Sequence, residues 1–176
     1  MPSGRTHDAI TILLAVPTCA AAWGLTGSVL LALTTTVAML FGGLMFGPDL
    51  DILSRQYTRW GPLRCLWWPY RVVFRHRSRW SHGIIFGTLI RVVYFALVLT
   101  LVACAAIYLR AALAGGARAD YSAVVRAWRA IAAGALMQGR PLHVPLAALA
   151  GLWWGAASHT LTDIGWSVLR KGSQIF

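Results

Sequence analysis

The sequence predicts an all-α fold: a multi-pass transmembrane helical bundle of about four spans with an interfacial loop rich in Arg and Trp, forming one membrane-embedded domain over residues 1–176. Three observations carry this expectation. Hydrophobic residues make up 58% of the chain, above the share of about 45–50% usual in soluble domains. Only 12% of residues are charged, as fifteen Arg, one Lys, five Asp and no Glu, so the Lys and Glu that solvate a soluble surface are missing. Residues 9–48 hold no charged side chain and no His for 40 positions, about 60 Å of helix, twice the roughly 30 Å of bilayer hydrocarbon.

A stretch of that length must cross and return, and it far exceeds a cleaved leader, although Arg5 followed by apolar residues has the outline of one. The return falls at Trp23-Gly24-Leu25-Thr26-Gly27, which leaves a short first span from residue 9, kinked by Pro17, and a second over residues 28–46. Between residues 49 and 79 seven arginines alternate with Trp60, Trp67, Trp68 and Tyr70. Indole rings settle at headgroup level and guanidinium groups reach phosphates, so this segment is expected on the membrane surface. A third span is expected over residues 84–113, whose centre, 92–109, carries no charge. A weakly amphipathic connector over 115–139 follows, its apolar stretch 130–137 too short to cross. A fourth span then runs over residues 142–166.

Ten basic residues fall with the N-terminus, the long loop and the C-terminus, against five from Arg110 to Arg140. The side with ten is expected in the cytoplasm, with both termini, across the inner membrane of a bacterium. The net charge of +11 sits between apolar spans instead of forming a basic soluble domain, so anionic lipid headgroups are the expected partner and nucleic acid is not. Cys19, Cys65 and Cys104 are widely spaced, which predicts neither a disulfide nor a cysteine-held metal.

On this four-span topology the unusual polar residues fall at one face. His7 and Asp8 open the first span, Asp49 and Asp51 close the second, His76 and His82 open the third, and His159 and Asp163 close the fourth. Four clusters remote in sequence have no topological obligation to share a face, and a helix mouth is where a charge can meet water or a cation. His159 and Asp163 are one helical turn apart and can hold one cation, or form a plain His–Asp hydrogen bond. Asp49 and Asp51 form a D-x-D pair after Pro48, where capping of the next turn is the competing role. His82, beside the third span, is the better placed of its pair, and His143 is expected at the opposite interface.

The segments Pro2-Ser3-Gly4-Arg5-Thr6-His7-Asp8, Phe46-Gly47-Pro48-Asp49-Leu50-Asp51, Ser54-Arg55-Gln56-Tyr57, Trp60-Gly61-Pro62 and Ser81-His82-Gly83 together resemble an uncharacterised, cyanobacterial-type family of bacterial integral membrane proteins thought to bind metal. More distantly, the order His, D-x-D, His-Arg with a following Ser-His, then H-x-x-x-D resembles membrane-bound, metal-dependent hydrolases regulated with the DNA-damage response. Their His-Arg-Gly-x-x-His pattern falls on His76, Arg77 and His82, with Ser78 in place of the glycine and a longer gap before His82.

The expected activity is hydrolysis of a phosphoester or lipid-like substrate at the cytoplasmic membrane face. His7, Asp49, Asp51, His82, His159 and Asp163 are the expected ligands of one or two divalent ions, zinc first, manganese or iron next, because the ligand atoms are all nitrogen and oxygen. Asp8 or His76 is expected to move the proton, and Arg55, Arg75 or Arg77 to hold an anionic group. A non-catalytic metal- or lipid-binding role uses the same ligands. Transport ranks third, because the apolar centres are nearly free of polar groups.

Overall fold

A computed structural model describes residues 2–76, 78, 80–116, 118–136 and 143–172. All regular structure among them is helical. The chain divides into two compact units, Met1–Arg91 with His143–Phe176, and Val92–Leu142.

In the first unit, α1 (Gly4–Leu13) starts where the Ser3 hydroxyl accepts from the backbone N–H of Thr6, and α2 (Ala15–Thr26) follows after a break at Leu14. Pro17 explains the break: it has no N–H to give the carbonyl four residues back, that of Leu13. Gly27, at φ 64°, ends α2 in the left-handed conformation that glycine adopts without strain. Ser28 caps the next helix, α3 (Val29–Leu44). The turn therefore lies where the sequence places it, and the second span is one helix.

After α3 the chain folds into short helical turns instead of an open loop. A 3-10 turn covers Pro48–Asp51, α4 covers Arg55–Thr58, a second 3-10 turn covers Gly61–Trp67, and α5 covers Trp68–Val73. Two of the aromatics expected at headgroup level are packed inside the protein. Trp67 and Tyr70 are fully buried, and the Trp67 ring stands edge-on to those of Phe46, Trp60 and Tyr70 at 5.3–5.8 Å. Only Trp68 and Trp80 remain largely exposed. The helical turns send alternate aromatics inward, which composition alone does not reveal.

The helix α6 (Phe86–Leu113) begins in this unit and continues into the second, where α7 (Ser122–Leu136) follows. Asp120 opens α7 by accepting from the backbone N–H of Ser122, and Trp128 donates to the Thr100 hydroxyl at 3.1 Å. The end of the expected connector, beyond Leu136, lies outside the described residues.

Three stretches among the described residues are long and apolar enough to cross a membrane: Gly4–Thr26, Val29–Asp51 and Phe86–Leu113. The expected fourth span corresponds to α8 (His143–Gly172), a helix of 30 residues that is not among them. Its middle is polar because protein covers it: Ser158 and His159 are buried, as are Ala156 and Ala157.

The contact of α3 with α8 is unusually close. A Cβ at Gly151 would collide with the Thr35 carbonyl, at Gly155 with the Met39 carbonyl, and at Gly42 with the Leu152 carbonyl. The two backbones thus touch through a small-residue seam of the Gly-x-x-x-Gly kind. His159 lies one further turn along the same α8 face, which brings it to the C-terminal end of α3 and the turn holding Asp49.

Candidate metal centre

Four chain segments converge in the first unit. His7 sits on the buried face of α1, and Asp49 and Asp51 in the turn after α3. His159 and Asp163 are a turn apart on α8. His82 ends a tight bend in which its N–H donates to the Ser78 carbonyl at 2.8 Å. Each is fixed from behind. The Gln56 side chain accepts from the Asp49 N–H at 3.1 Å and donates to the Gly43 carbonyl at 2.7 Å, and its amide nitrogen stands 3.3 Å from His159 Nδ1. Ser54 donates its hydroxyl proton to the Asp49 carbonyl at 2.8 Å.

The side chains form two groups of candidate ligands, each with its ligand atoms within 4.8 Å of one another: His7, His159 and Asp163, and Asp49, His76 and His82. Asp49 links them. Its Oδ2 lies 3.2 Å from His159 Nε2 and its Oδ1 lies 3.3 Å from His82 Nε2. His7 Nε2 is 3.3 Å and His159 Nε2 is 4.0 Å from the two Asp163 oxygens.

Short N···O distances alone describe protonated histidines paired with aspartates equally well, so other observations decide. Asp49 Oδ1, His82 Nε2, His159 Nε2, Asp163 Oδ1, Asp51 Oδ2 and His7 Nδ1 are all buried and make no hydrogen bond. Buried polar atoms are nearly always satisfied, and these six exceptions lie together among the candidate ligands. Two ligand atoms each about 2.0–2.2 Å from one cation, at bond angles near 90–110°, stand about 3–3.6 Å apart, the spacing found here. The His7 and His159 rings also stack at 3.8 Å, 12° from parallel. Two imidazolium cations stacked this way would repel, whereas neutral imidazoles, the form that binds metal, do not. The residues therefore fit a divalent cation.

Other expected site residues are placed differently. Asp8 lines the same cavity as His7, Asp49 and His159, but its oxygens are engaged: Arg59 donates to both and Arg55 lies 3.0 Å from Oδ2. A carboxylate held by this forked pair has its acceptor sites engaged and ties α1 to α4 and the residue after it. Arg59 also donates to the Leu44 carbonyl at 2.8 Å, closing the end of α3. Asp51 is fully buried, with its oxygens 2.9 Å from His76 Nδ1 and 3.6 Å from His82 Nδ1. A carboxylate only accepts, so a neutral His76 facing it donates from Nδ1 and keeps its lone pair on Nε2. Arg75 is exposed, and Arg77 lies outside the described residues. Arg55 lines a cavity of about 280 Å³ with Leu53 and Ser54, which opens onto His7, Asp49 and His159.

Two participants have no clear signature in the sequence. Gln56 reads as an ordinary helix residue. Arg91, one of the least exposed residues at 1%, donates to the Ser81 carbonyl at 2.7 Å and to the Thr88 hydroxyl at 3.1 Å. It thereby holds the bend that presents His82, and Asp51 and Asp49 lie close enough to act on its charge.

The model of a protein family described as uncharacterized metal-binding protein (DUF2227) matches residues 2–172. The chain belongs to this family. It is also 37% identical over 59 residues to an uncharacterized protein of Aquifex aeolicus (strain VF5), an alignment covering 33% of this chain. It spans about two fifths of that relative's length, 41%. No solved structure matches the chain. Metal binding is thus common ground between the family description and the two groups of His and Asp ligands, and the zinc, manganese or iron choice is left to the chemistry below.

Proposed function

We propose that this protein is a metal-dependent hydrolase of the bacterial inner membrane, acting at the cytoplasmic face on a phosphoester or lipid-like substrate. The observation that carries the reading is the polar cavity beside the ligand cluster, since a centre that only braced helices would need no room for a further molecule. The three apolar stretches support the membrane location, and the excess of basic residues on the site's side supports the orientation.

The ligands of the proposed centre are His7, Asp49, His82, His159 and Asp163, with Asp51 orienting the imidazoles behind them. Nitrogen and oxygen donors of this kind suit zinc, manganese or iron. A bound divalent ion supplies Lewis acidity, which polarises a phosphoryl or carbonyl oxygen and acidifies water. The chain's own residues do the rest. Arg55 is half exposed at the cavity wall, and because Arg59 already engages both oxygens of Asp8, its guanidinium is available to an anionic group. His76, held through Nδ1 by Asp51 with one edge toward solvent, is placed to take the proton from water. Leu53, 72% exposed beside Arg55, gives an acyl chain an apolar entry.

The test is turnover by the full-length protein in lipid nanodiscs loaded with Zn²⁺ or Mn²⁺, on panels of lipid phosphoesters, soluble phosphoesters and peptides. Phosphoester turnover that chelation and His159→Ala both abolish is the expected result. Stoichiometric metal without turnover on any panel overturns the hydrolase reading. It would favour a second one, in which the ion ties α1, α3 and α8 together and catalyses nothing.

A further inference from the structure

We infer that the centre holds two divalent ions bridged by the Asp49 carboxylate, an inference that deepens the hydrolase reading and rests on its metal site. The ligand atoms fall into two groups of three, each group within 4.8 Å. His7, His159 and Asp163 form one, and His76 and His82 with Asp49 form the other. Asp49 alone reaches across, and it does so with different oxygens: Oδ2 toward His159 at 3.2 Å and Oδ1 toward His82 at 3.3 Å. Each oxygen faces a different imidazole, the arrangement by which a bridging carboxylate gives one oxygen to each of two ions. Asp49 Oδ1, His82 Nε2 and His159 Nε2 are all buried and lack a well-aligned hydrogen bond, so an ion would satisfy them.

Asp51 makes the second group competent. From its fully buried position it faces Nδ1 of both His76 and His82, so the two rings turn their Nε2 atoms away from it. This is the outer carboxylate that accompanies metal-bound histidines. In the two-ion state His76 is a ligand, and the proton-carrying role assigned to it above belongs to the one-ion state.

Charge orders the two ions. Asp49 and Asp51 lie close enough to act on one buried guanidinium, Arg91, and Asp163 adds a third carboxylate, which leaves two negative charges that a single dication neutralises. The second ion adds uncompensated positive charge and is held more weakly. An anionic phosphate in the cavity beside His7, Asp49 and His159, near Arg55, adds negative charge next to the shared Asp49 and strengthens the second ion's binding by linkage.

The experiment is equilibrium dialysis of the chelated full-length protein in nanodiscs against Mn²⁺, with and without inorganic phosphate. Metal is counted per chain and the electron paramagnetic resonance spectrum recorded. Two sequential Mn²⁺ per chain and an exchange-coupled spectrum at saturation are expected, with phosphate tightening the second step at least several-fold. His82→Ala and His76→Ala should each leave one uncoupled ion. A wild type that saturates at one ion, or an His82→Ala that still binds two with the coupled spectrum, overturns the two-ion inference. A wild type that holds a single ion, lost in His159→Ala and kept in His82→Ala, does so while leaving the hydrolase reading standing. Absence of any bound ion removes both. Circular dichroism of each variant separates loss of a ligand from loss of fold.

Discussion

Replacing Gly155 by alanine sets helix propensity against helix packing at one atom. Alanine in a helix interior is favoured over glycine by about 1 kcal/mol, so a reading by propensity alone expects a more stable protein. The added Cβ would collide with the Met39 carbonyl and lie 2.6 Å from the Gly43 nitrogen. Both are backbone atoms that cannot rotate away, so α3 and α8 must separate. Overpacking costs about 1–3 kcal/mol where neighbours can adjust, and rigid neighbours place this site at the upper end. The net expectation is a loss of about 1–2 kcal/mol, roughly 2–8 °C in melting temperature for a chain of this size. His159 lies one turn from Gly155, and metal ligands tolerate displacements of only about 0.2 Å. Metal affinity should therefore fall about 10–100-fold, the range for disturbed ligand support. Gly24→Ala and Gly165→Ala are the controls, because nothing lies within 4 Å of either added Cβ. Both should match or exceed wild-type stability by up to about 1 kcal/mol. Thermal unfolding in detergent and metal titration read both quantities. A Gly155→Ala variant as stable and as tight for metal as the controls would refute the close-packed seam.

Asp51→Asn keeps the shape but can present an amide N–H to His76 Nδ1 or His82 Nδ1; metal affinity, by titration against a chelator, should drop about 10–100-fold with little change in helix content. Arg59→Met removes both forked bonds to Asp8 and the bond to the Leu44 carbonyl, and should cost about 2–3 kcal/mol in denaturant unfolding. Arg55→Met at the half-exposed partner should cost under about 1 kcal/mol, so equal losses would contradict the division of labour drawn here. Metal affinity should also decline as pH drops from 7.5 to 5, because the ligand imidazoles must be neutral and protons compete for the same lone pairs; affinity independent of pH would point to a centre without histidine.

The features legible in the sequence were those set by local chemistry. The turn at Gly27, the helix ending before Pro48 and the apolar run of α6 follow from capping, proline and hydropathy, which act within a few residues. The polar residues at the helix mouths were conspicuous for the same reason: a His or Asp beside an apolar run has few other uses. What escaped depends on contacts across the chain. Gly151 and Gly155 look like helix weaknesses until α3 lies against them. Trp67 and Tyr70 look like membrane-surface aromatics until the short helical turns bury them. Arg91 looks like a stray charge in a span, and Gln56 like an ordinary polar residue, because their partners, the Ser81 and Gly43 carbonyls, are remote backbone atoms that no composition reveals. Asp8 shows the same limit: nothing in the sequence beside His7 announces that Arg59, 51 positions away, engages both of its oxygens.

The convergence of α1, the turn after α3, the bend before α6, and α8 on a divalent cation is tested most directly by metal analysis of the purified protein after chelation and reloading, with Asp49→Ala and His159→Ala alongside wild type. Asp49 reaches both ligand groups and His159 comes from the opposite end of the sequence, so wild type should reload at least one divalent ion per chain and both folded variants should lose most of it. Wild type that binds none, or variants that reload as fully as wild type, would contradict a shared centre.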